Sequence, residues 1–181
     1  MPQIISMRYI CVLFLFGLLF NKPLSAQKNE SLFIEAAIQK LRHSREYTLK
    51  VAKLMPEDKY AFKPSPEEMG FGAQLLHLSS NLGWLSSSYI GTGKNPVTKE
   101  DSKLIKKEEI ISVLNKAYDF ALEALTKFDA QHLSDSVLFF AGPMNKLQII
   151  ILLNDHQTHH RAQMLVYLRL NGIKPPDYIG W

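Results

Sequence analysis

The sequence predicts an all-α protein built as an up-down four-helix bundle. In four stretches, apolar residues recur at spacings of three and four, which is the period of an amphipathic helix. No series of alternating apolar and polar residues predicts a β-sheet. The composition, 46% hydrophobic and 21% charged over 181 residues, fits one globular domain with a substantial core. The four stretches are residues 31–54, 71–91, 107–128 and 142–170.

The first 26 residues differ from the rest in composition. Arg8 precedes an apolar run from Tyr9 to Phe20, and a short segment of small and polar residues ends at Ala26. This layout is typical of a secretory signal peptide that is cleaved after Ala26. An uncleaved membrane anchor is the alternative, but about a dozen apolar residues fall short of the ~20 that span a bilayer. We therefore predict export to the periplasm or the exterior, with residues 27–181 as the mature domain and no stable membrane insertion.

The only cysteine, Cys11, lies in this leader. The mature domain then has no thiol for catalysis, for disulfides or for metal binding, so its metal ligands must be nitrogen or oxygen. Cleavage would also remove two cations, Arg8 and Lys22, and no acidic residue, so the formal net charge of +4 becomes +2. The basic residues Lys103, Lys106 and Lys107 are followed directly by Glu108 and Glu109, which is typical of a solvated helix start and gives little reason to expect binding to nucleic acid.

The first two helices are separated by a proline-rich connection. Helix one covers residues 31–54 and ends before Pro56, which cannot continue a helix. Residues 55–66 contain three prolines together with aromatic residues. We interpret this segment as a connection that packs over the end of the bundle. Helix two then runs from about residue 71 to residue 91.

The second half of the chain contains helices three and four. Helix three covers residues 107–128, after a loop at 92–102. Residues 136–140 are ambiguous, because they suit either a short extended segment or a surface that faces a partner. Helix four is expected to begin near Gly142-Pro143, since proline suits a first helical turn, and to end at Asn171-Gly172.

Helix four carries two histidines at the spacing of one turn. His156 and His160 project from the same face and could bind one metal ion together. His159 points about 100° around the helix from His160 and is not expected to share that ion. A pair at this spacing arises easily by chance, so a third ligand from elsewhere in the chain is needed.

His77 on helix two is the candidate for the third ligand. A histidine in so apolar a stretch is most often a core residue with one hydrogen-bond partner. If helices two and four face each other, however, His77 can meet His156 and His160 in the core. Three imidazoles leave a coordination position open for water or substrate, which is typical of working sites. Imidazole ligands suit zinc, nickel, copper or iron.

Four parts of the chain together resemble the DinB-like (DNA-damage-inducible) family of helical bundles. The resemblance covers about residues 30–176. It implies a four-helix bundle of DinB-like topology in which one histidine of helix two and a pair on helix four hold a divalent metal ion. The parts that carry it are His77, the lead-in at residues 60–67, the motif at 156–163 and the closing segment at 168–176.

The resemblance also implies an activity. Relatives include transferases that use low-molecular-weight thiols such as bacillithiol and mycothiol, and a mycothiol-dependent isomerase. We therefore expect a metal-dependent enzyme that acts on a small-molecule substrate. Because these thiols are cytosolic, export makes hydrolysis by metal-activated water the other possibility. The alternatives are a non-catalytic protein that binds a metal or small ligand, and a structural protein with an empty site.

Other polar residues near the ligand face are weaker candidates. Asn81, Gln163 and Tyr167 could orient the ligands or the substrate, although Tyr167 could equally fill the core. Arg161 and Arg169 lie off the ligand face, and we expect them to be solvated or salt-bridged. No carboxylate falls on this face, so the sequence identifies no general base.

A homodimer is expected on two grounds. Bundles of this family often pair. The apolar residues 137–140 and the tail at 177–181 also lie outside the main helical stripes and suit a contact between two copies.

Overall fold

A computed structural model describes residues 24–180 and confirms the predicted four-helix bundle. The predicted signal peptide lies outside the described residues except for its last three positions, which open the first helix, and Trp181 also lies outside them. Within the described part of the chain, no helix is long and apolar enough to cross a membrane. The helices are α1 (Leu24–Leu54), α2 (Phe71–Leu85), α3 (Lys107–Thr126) and α4 (Lys146–Leu170).

The helices do not pack in the order of the sequence. Helix α1 packs against α3 and α4, and α2 packs against the same two helices. Helices α1 and α2 therefore stand at opposite corners of the bundle, and both of them border α4. The expectation that helices two and four face each other is confirmed.

The connection between α1 and α2 packs over the end of the bundle, as predicted. Its Tyr60 is buried and donates a hydrogen bond from its hydroxyl to the Ala52 carbonyl at 2.8 Å. Gly72, at the start of α2, lies directly under Tyr60 and Ile110. A Cβ at this glycine would come within 3.1 Å of the Ile110 Cδ1 atom, so the close approach of α2 to α3 favours glycine here.

Each helix contributes one apolar stripe to a single core. The period of three and four in the sequence is the cause, because it places these side chains on one face of each helix. The largest fully buried hydrophobic residues are Leu41, Met55, Phe71, Leu75, Leu78, Leu82, Leu85, Ile110, Leu114, Tyr118, Leu125 and Ile149.

A β-hairpin occupies the segment that was ambiguous in sequence. Strand β1 (Ser136–Phe139) pairs antiparallel with β2 (Gly142–Asn145), and Phe139 lies opposite Gly142. Gly142 has a φ of +119°, a backbone conformation that residues other than glycine rarely adopt. Leu138 and Phe140 on this hairpin are 86% and 83% exposed. Residues 136–139 are therefore extended, and Phe140 lies in the turn of the hairpin.

The predicted start of α4 near Gly142-Pro143 was wrong, since Pro143 lies in β2 and the helix begins at Lys146. The Asn145 side chain accepts a hydrogen bond from the Gln148 backbone N–H at 2.9 Å. The Gln148 side chain accepts one from the Asn145 backbone N–H at 2.9 Å. This reciprocal capping box satisfies free N–H groups of the first turn and decides where the helix starts.

Helices α2 and α4 end differently. Helix α2 passes into a wider π-type turn, Ser86–Ile90, which is closed by a 2.8 Å hydrogen bond from the Gly91 N–H to the Ser86 carbonyl. Helix α4 stops at Leu170, and Gly172 then adopts φ of +72°. This left-handed glycine confirms the predicted stop signal.

Candidate metal centre

The structure brings His77, His156 and His160 together between α2 and α4. The ring centroid of His77 lies 4.9 Å from that of His156 and 4.6 Å from that of His160. The centroids of His156 and His160 are 4.5 Å apart. One ring nitrogen from each lies within 4.8 Å of the other two. Helical spacing aligns the pair on α4, and the packing of α2 against α4 adds the third ring.

The distances between ring nitrogens suit a bound ion. The His77 and His156 Nε2 atoms are 3.1 Å apart. In a tetrahedral zinc site with Zn–N bonds of ~2.05 Å, two ligand nitrogens are separated by roughly 3.3 Å. A hydrogen bond between the two rings would also have this length, but it would leave the His160 ring without a role. A shared ion uses all three imidazoles.

Burial keeps these imidazoles neutral. It lowers the pKa of His156 to about 4, and the proximity of the His77 and His159 rings, which disfavours a further positive charge, adds to the effect. It lowers the pKa of His160 to about 3, with further contributions from His156 and His77. Burial also lowers the pKa of His77. All three rings therefore have a free lone pair near neutral pH, which is the form that binds metal.

Gln74 orients His160. This glutamine is only 1% exposed, and its Oε1 accepts a hydrogen bond from His160 Nδ1 at 2.5 Å. The bond places the proton of His160 on Nδ1 and leaves Nε2 free for an ion, which is the usual arrangement around metal-binding histidines. Sequence reasoning did not select Gln74. The signal was its position one turn before His77, as a polar residue inside an apolar stripe.

Gln163 and Tyr167 accept hydrogen bonds from Gln74, the residue that contacts His160. The Gln74 Nε2 group donates to Gln163 Oε1 at 2.5 Å and to the Tyr167 hydroxyl at 3.4 Å. The Tyr167 hydroxyl in turn donates to the Met69 carbonyl at 3.0 Å. Tyr167 is also buried and packs edge-on against Phe62, so it fills the core as well as holding Gln74.

His159 lies outside the cluster, as expected from its position on the helix. It is exposed, and its Nε2 atom is 3.2 Å from Gln163 Nε2. The cluster also contains no carboxylate among the described residues. The structure therefore adds no general base at this place.

The expectation that Arg161 is solvated or salt-bridged was wrong. Arg161 is 5% exposed, and no carboxylate within residues 24–180 forms an ion pair with it. Its guanidinium donates to Ser44 Oγ at 2.6 Å and lies 5.1 Å from the centre of the Tyr47 ring. The reason is that α4 is covered by α1 on this side, so the position is not a surface. Arg169, in the last turn of α4, is exposed as expected.

A cavity of about 500 Å³ opens beside the cluster. His77 and His156 form one side of it. Asn81 also lines the cavity, and no hydrogen bond joins it to a histidine ring within the described residues. The rest of the lining is mostly apolar and comes from α2, the hairpin and α4: Ser80, Asn81, Trp84, Phe139, Phe140 and Leu152.

Comparison with known proteins identifies the family. The model of the DinB family matches residues 27–179. A DinB-like protein from Bacillus cereus ATCC 10987 is 23% identical, with a TM-score of 0.64 over 80% of this chain and 96% of that chain. A DinB-like protein from Bacillus subtilis is 16% identical, with a TM-score of 0.64 over 80% of this chain and 97% of that chain. No curated protein matches in sequence. With its four-helix bundle and a family match over almost all of the described residues, this chain belongs to the DinB family.

Proposed function

We propose that the chain binds one divalent metal ion through His77, His156 and His160 and is a metal-dependent enzyme of the thiol-transferase or hydrolase type. The observation that carries the proposal is the convergence of three neutral imidazoles, with Nε2 atoms of two of them 3.1 Å apart, beside a cavity. Zinc, nickel, copper and iron all suit these ligands.

The residues of the chain divide the work around such an ion. An ion held by three nitrogens keeps a position for water or a thiol and lowers the pKa of the group bound there. Burial holds the three rings in the neutral form, and Gln74 holds His160 in the tautomer that presents Nε2. Asn81 and Ser80 offer hydrogen bonds to a substrate in the cavity.

Export and pairing belong to the same proposal. The layout of residues 1–26 supports secretion to the periplasm or the exterior, and an exported site favours the hydrolase alternative because thiol cosubstrates are cytosolic. The exposed Leu138 and Phe140 support a homodimer through the hairpin. We propose no nucleic-acid partner and no stable membrane insertion after cleavage.

Metal analysis of protein purified from its native host, without a histidine tag, tests the metal site. Wild-type protein and His159→Ala should contain stoichiometric metal, whereas His156→Ala should contain little. His159 is the matched control, because it lies on the same helix and outside the cluster. Metal-free wild-type protein whose thermal stability is unchanged by chelators and by His77→Ala would exclude the site.

A second measurement separates an enzyme from a binding protein. Thiol-transfer and esterase substrates should be turned over by the wild type and not by His156→Ala. Tight metal binding without any turnover would favour the alternative, a non-catalytic protein that binds a metal or small ligand.

A further inference from the structure

We propose that the cavity beside the histidine cluster selects an uncharged, largely apolar small molecule. Such a ligand places a donor atom beside the histidines and an aromatic or branched apolar group against Trp84, Phe139 and Phe140. The inference rests on the proposed metal site and adds the class of substrate to it.

The charge of the cavity lining supports this class. The residues that line the cavity include no lysine, arginine, aspartate or glutamate. A charged group on the body of a ligand would therefore lose its water without gaining a partner, which is costly. The volume of about 500 Å³ is that of a typical small-molecule site. Hydrophilic, charged cosubstrates match this lining poorly.

Three aromatic rings form one wall of the cavity. Trp84 from α2 lies 5.6 Å from Phe139 and 6.2 Å from Phe140, measured between ring centroids, and the two phenylalanines are 4.4 Å apart. Phe139 is buried, whereas Phe140 is 83% exposed. A ligand with an apolar group would remove this exposed ring from water and stack against the other two.

Asn81 supplies the polar contact. It lines the cavity, and its Oδ1 atom is buried without a hydrogen-bond partner among the described residues. A buried acceptor is stabilised by a donor, so rotation of the Asn81 amide towards the cavity would let it accept from an N–H or O–H group near the metal-binding end of a ligand. A ligand that fits the cavity therefore has one polar end and one apolar end.

Trp84 can report binding directly. The chain has two tryptophans, so Trp181→Phe leaves Trp84 as the only one. The zinc-loaded Trp181→Phe protein is titrated with three hydroxamic acids that share one metal-binding group, and fluorescence and calorimetry are recorded. The probes are benzohydroxamic acid, acetohydroxamic acid and para-carboxybenzohydroxamic acid. Benzohydroxamic acid should bind about tenfold or more tighter than acetohydroxamic acid because its ring is buried, and the added carboxylate should weaken binding.

Two variants of the hairpin test the aromatic wall. Phe140→Ala should reduce the advantage of benzohydroxamic acid several-fold and leave acetohydroxamic acid unaffected. Leu138→Ala is the matched control, because Leu138 is equally exposed on the same hairpin but does not line the cavity. It should change neither affinity. Both side chains are exposed, so neither variant is expected to unfold the protein.

A third variant tests the polar contact. Asn81→Leu keeps a similar volume and removes the acceptor. It should weaken benzohydroxamic acid and leave N-methylbenzohydroxamic acid, which lacks the N–H group, unchanged. Equal losses for both probes would show that Asn81 does not bind the donor.

The outcomes separate this inference from the proposed function. Equal binding of all three hydroxamic acids would overturn the inference and leave the metal site standing, as would an absence of binding by protein that holds zinc. Protein that holds none of zinc, nickel, copper or iron would overturn the proposed function itself. If the wild type is a dimer without preference for the phenyl ring and Phe140→Ala is a monomer, the hairpin is a contact between copies and the inference fails.

Discussion

Two neighbouring faces of α4 carry buried polar clusters that differ in one respect. The site face presents His156 and His160 to α2, and the anchor face presents Gln157 and Arg161 to α1 and α3. The two faces are one residue apart along the helix, or about 100° around it. On the site face, nitrogens of neutral imidazole rings lie next to one another. On the anchor face, guanidinium and hydroxyl donors lie next to oxygen acceptors.

The anchor face is largely completed by the chain itself. Arg161 donates to Ser44 Oγ at 2.6 Å. The Tyr118 hydroxyl is 3.1 Å from Thr48 Oγ1 and 3.0 Å from Gln157 Oε1. Of the polar atoms of Gln157 and Arg161, only Gln157 Nε2 is buried without a partner within the described residues. This network joins α4 to α1 and α3, and most of its polar atoms find partners within the described residues.

The site face needs something from outside. Gln74 satisfies Nδ1 of His160, but the His156 Nδ1 atom is buried without a partner among the described residues. The Nε2 atoms of His77 and His156 lie 3.1 Å apart, a separation that a shared ion would satisfy. Burial of polar groups therefore does not by itself indicate function. A cluster whose acceptors lack a donor or cation is the one that suggests a ligand.

The largest effect should come from the anchor face. Arg161→Ala removes a guanidinium that contacts an aromatic ring and at least one buried hydroxyl, and it leaves space in the core. We expect the free energy of unfolding to fall by about 2–4 kcal/mol, measured by urea denaturation. Metal stoichiometry should be unchanged.

Arg169→Ala is the control for this prediction, because Arg169 is exposed on the same helix. Its effect should stay within about 0.5 kcal/mol. If Arg161→Ala instead removed the metal and left the stability unchanged, the assignment of the two faces would be reversed.

A substitution on the site face should have a smaller effect on stability, and it should act mainly on the affinity for metal. Gln74→Leu removes the acceptor that holds the Nδ1 proton of His160, so the affinity for zinc should fall about 10- to 100-fold. Competition with a chromophoric chelator measures this. The metal-free protein should lose about 1–2 kcal/mol of stability, because leucine fits the apolar stripe but leaves the His160 Nδ1–H without an acceptor. Gln74→Glu retains an acceptor and should recover most of the affinity; equal losses in both variants would argue against a role in orienting His160.

The last prediction concerns pH. In the metal-free protein the folded state binds protons at His156 and His160 more weakly than the unfolded state does, because burial lowers their pKa to about 4 and about 3. Protons therefore favour unfolding. The free energy of unfolding should decline as pH falls from about 6.5, the ordinary histidine pKa, towards these values. Urea midpoints across this window measure the decline.

The double variant His156→Leu/His160→Leu tests the origin of this decline. It should flatten the pH dependence, whereas Arg161→Ala should keep the slope of the wild type. A slope that persists in the double variant would place the responsible groups elsewhere in the chain.

The cluster was predictable from the sequence, and the anchor face was not. Periodicity alone aligns His156 with His160, and the facing of helices two and four brings in His77. Arg161 was misjudged because the sequence does not tell which helix covers a minor polar face. That depends on α1 lying diagonally opposite α2, which is a property of the assembled bundle. Gln74 was missed for the same reason, since its partners come from α4.

The start of α4 shows a local limit of prediction. Pro143 is compatible both with a first helical turn and with a short edge strand. The choice depends on Asn145 and Gln148, whose mutual hydrogen bonds stabilise a start three residues later. Residues that cap a helix were therefore the better signal than proline.

The π-type turn at the end of α2 has a consequence for how this protein can diverge. Residues five apart, such as Trp84 and Tyr89, point about 140° apart in a regular α-helix, yet here their rings lie 5.9 Å apart. Tyr89 also lies 5.9 Å from Phe139, so it supports the aromatic wall from behind. Loss of a single codon within residues 86–90 would restore a regular helix and withdraw that support. His77 lies upstream and would keep its place, so a change in chain length alone could remodel the aromatic wall and leave the histidine cluster intact.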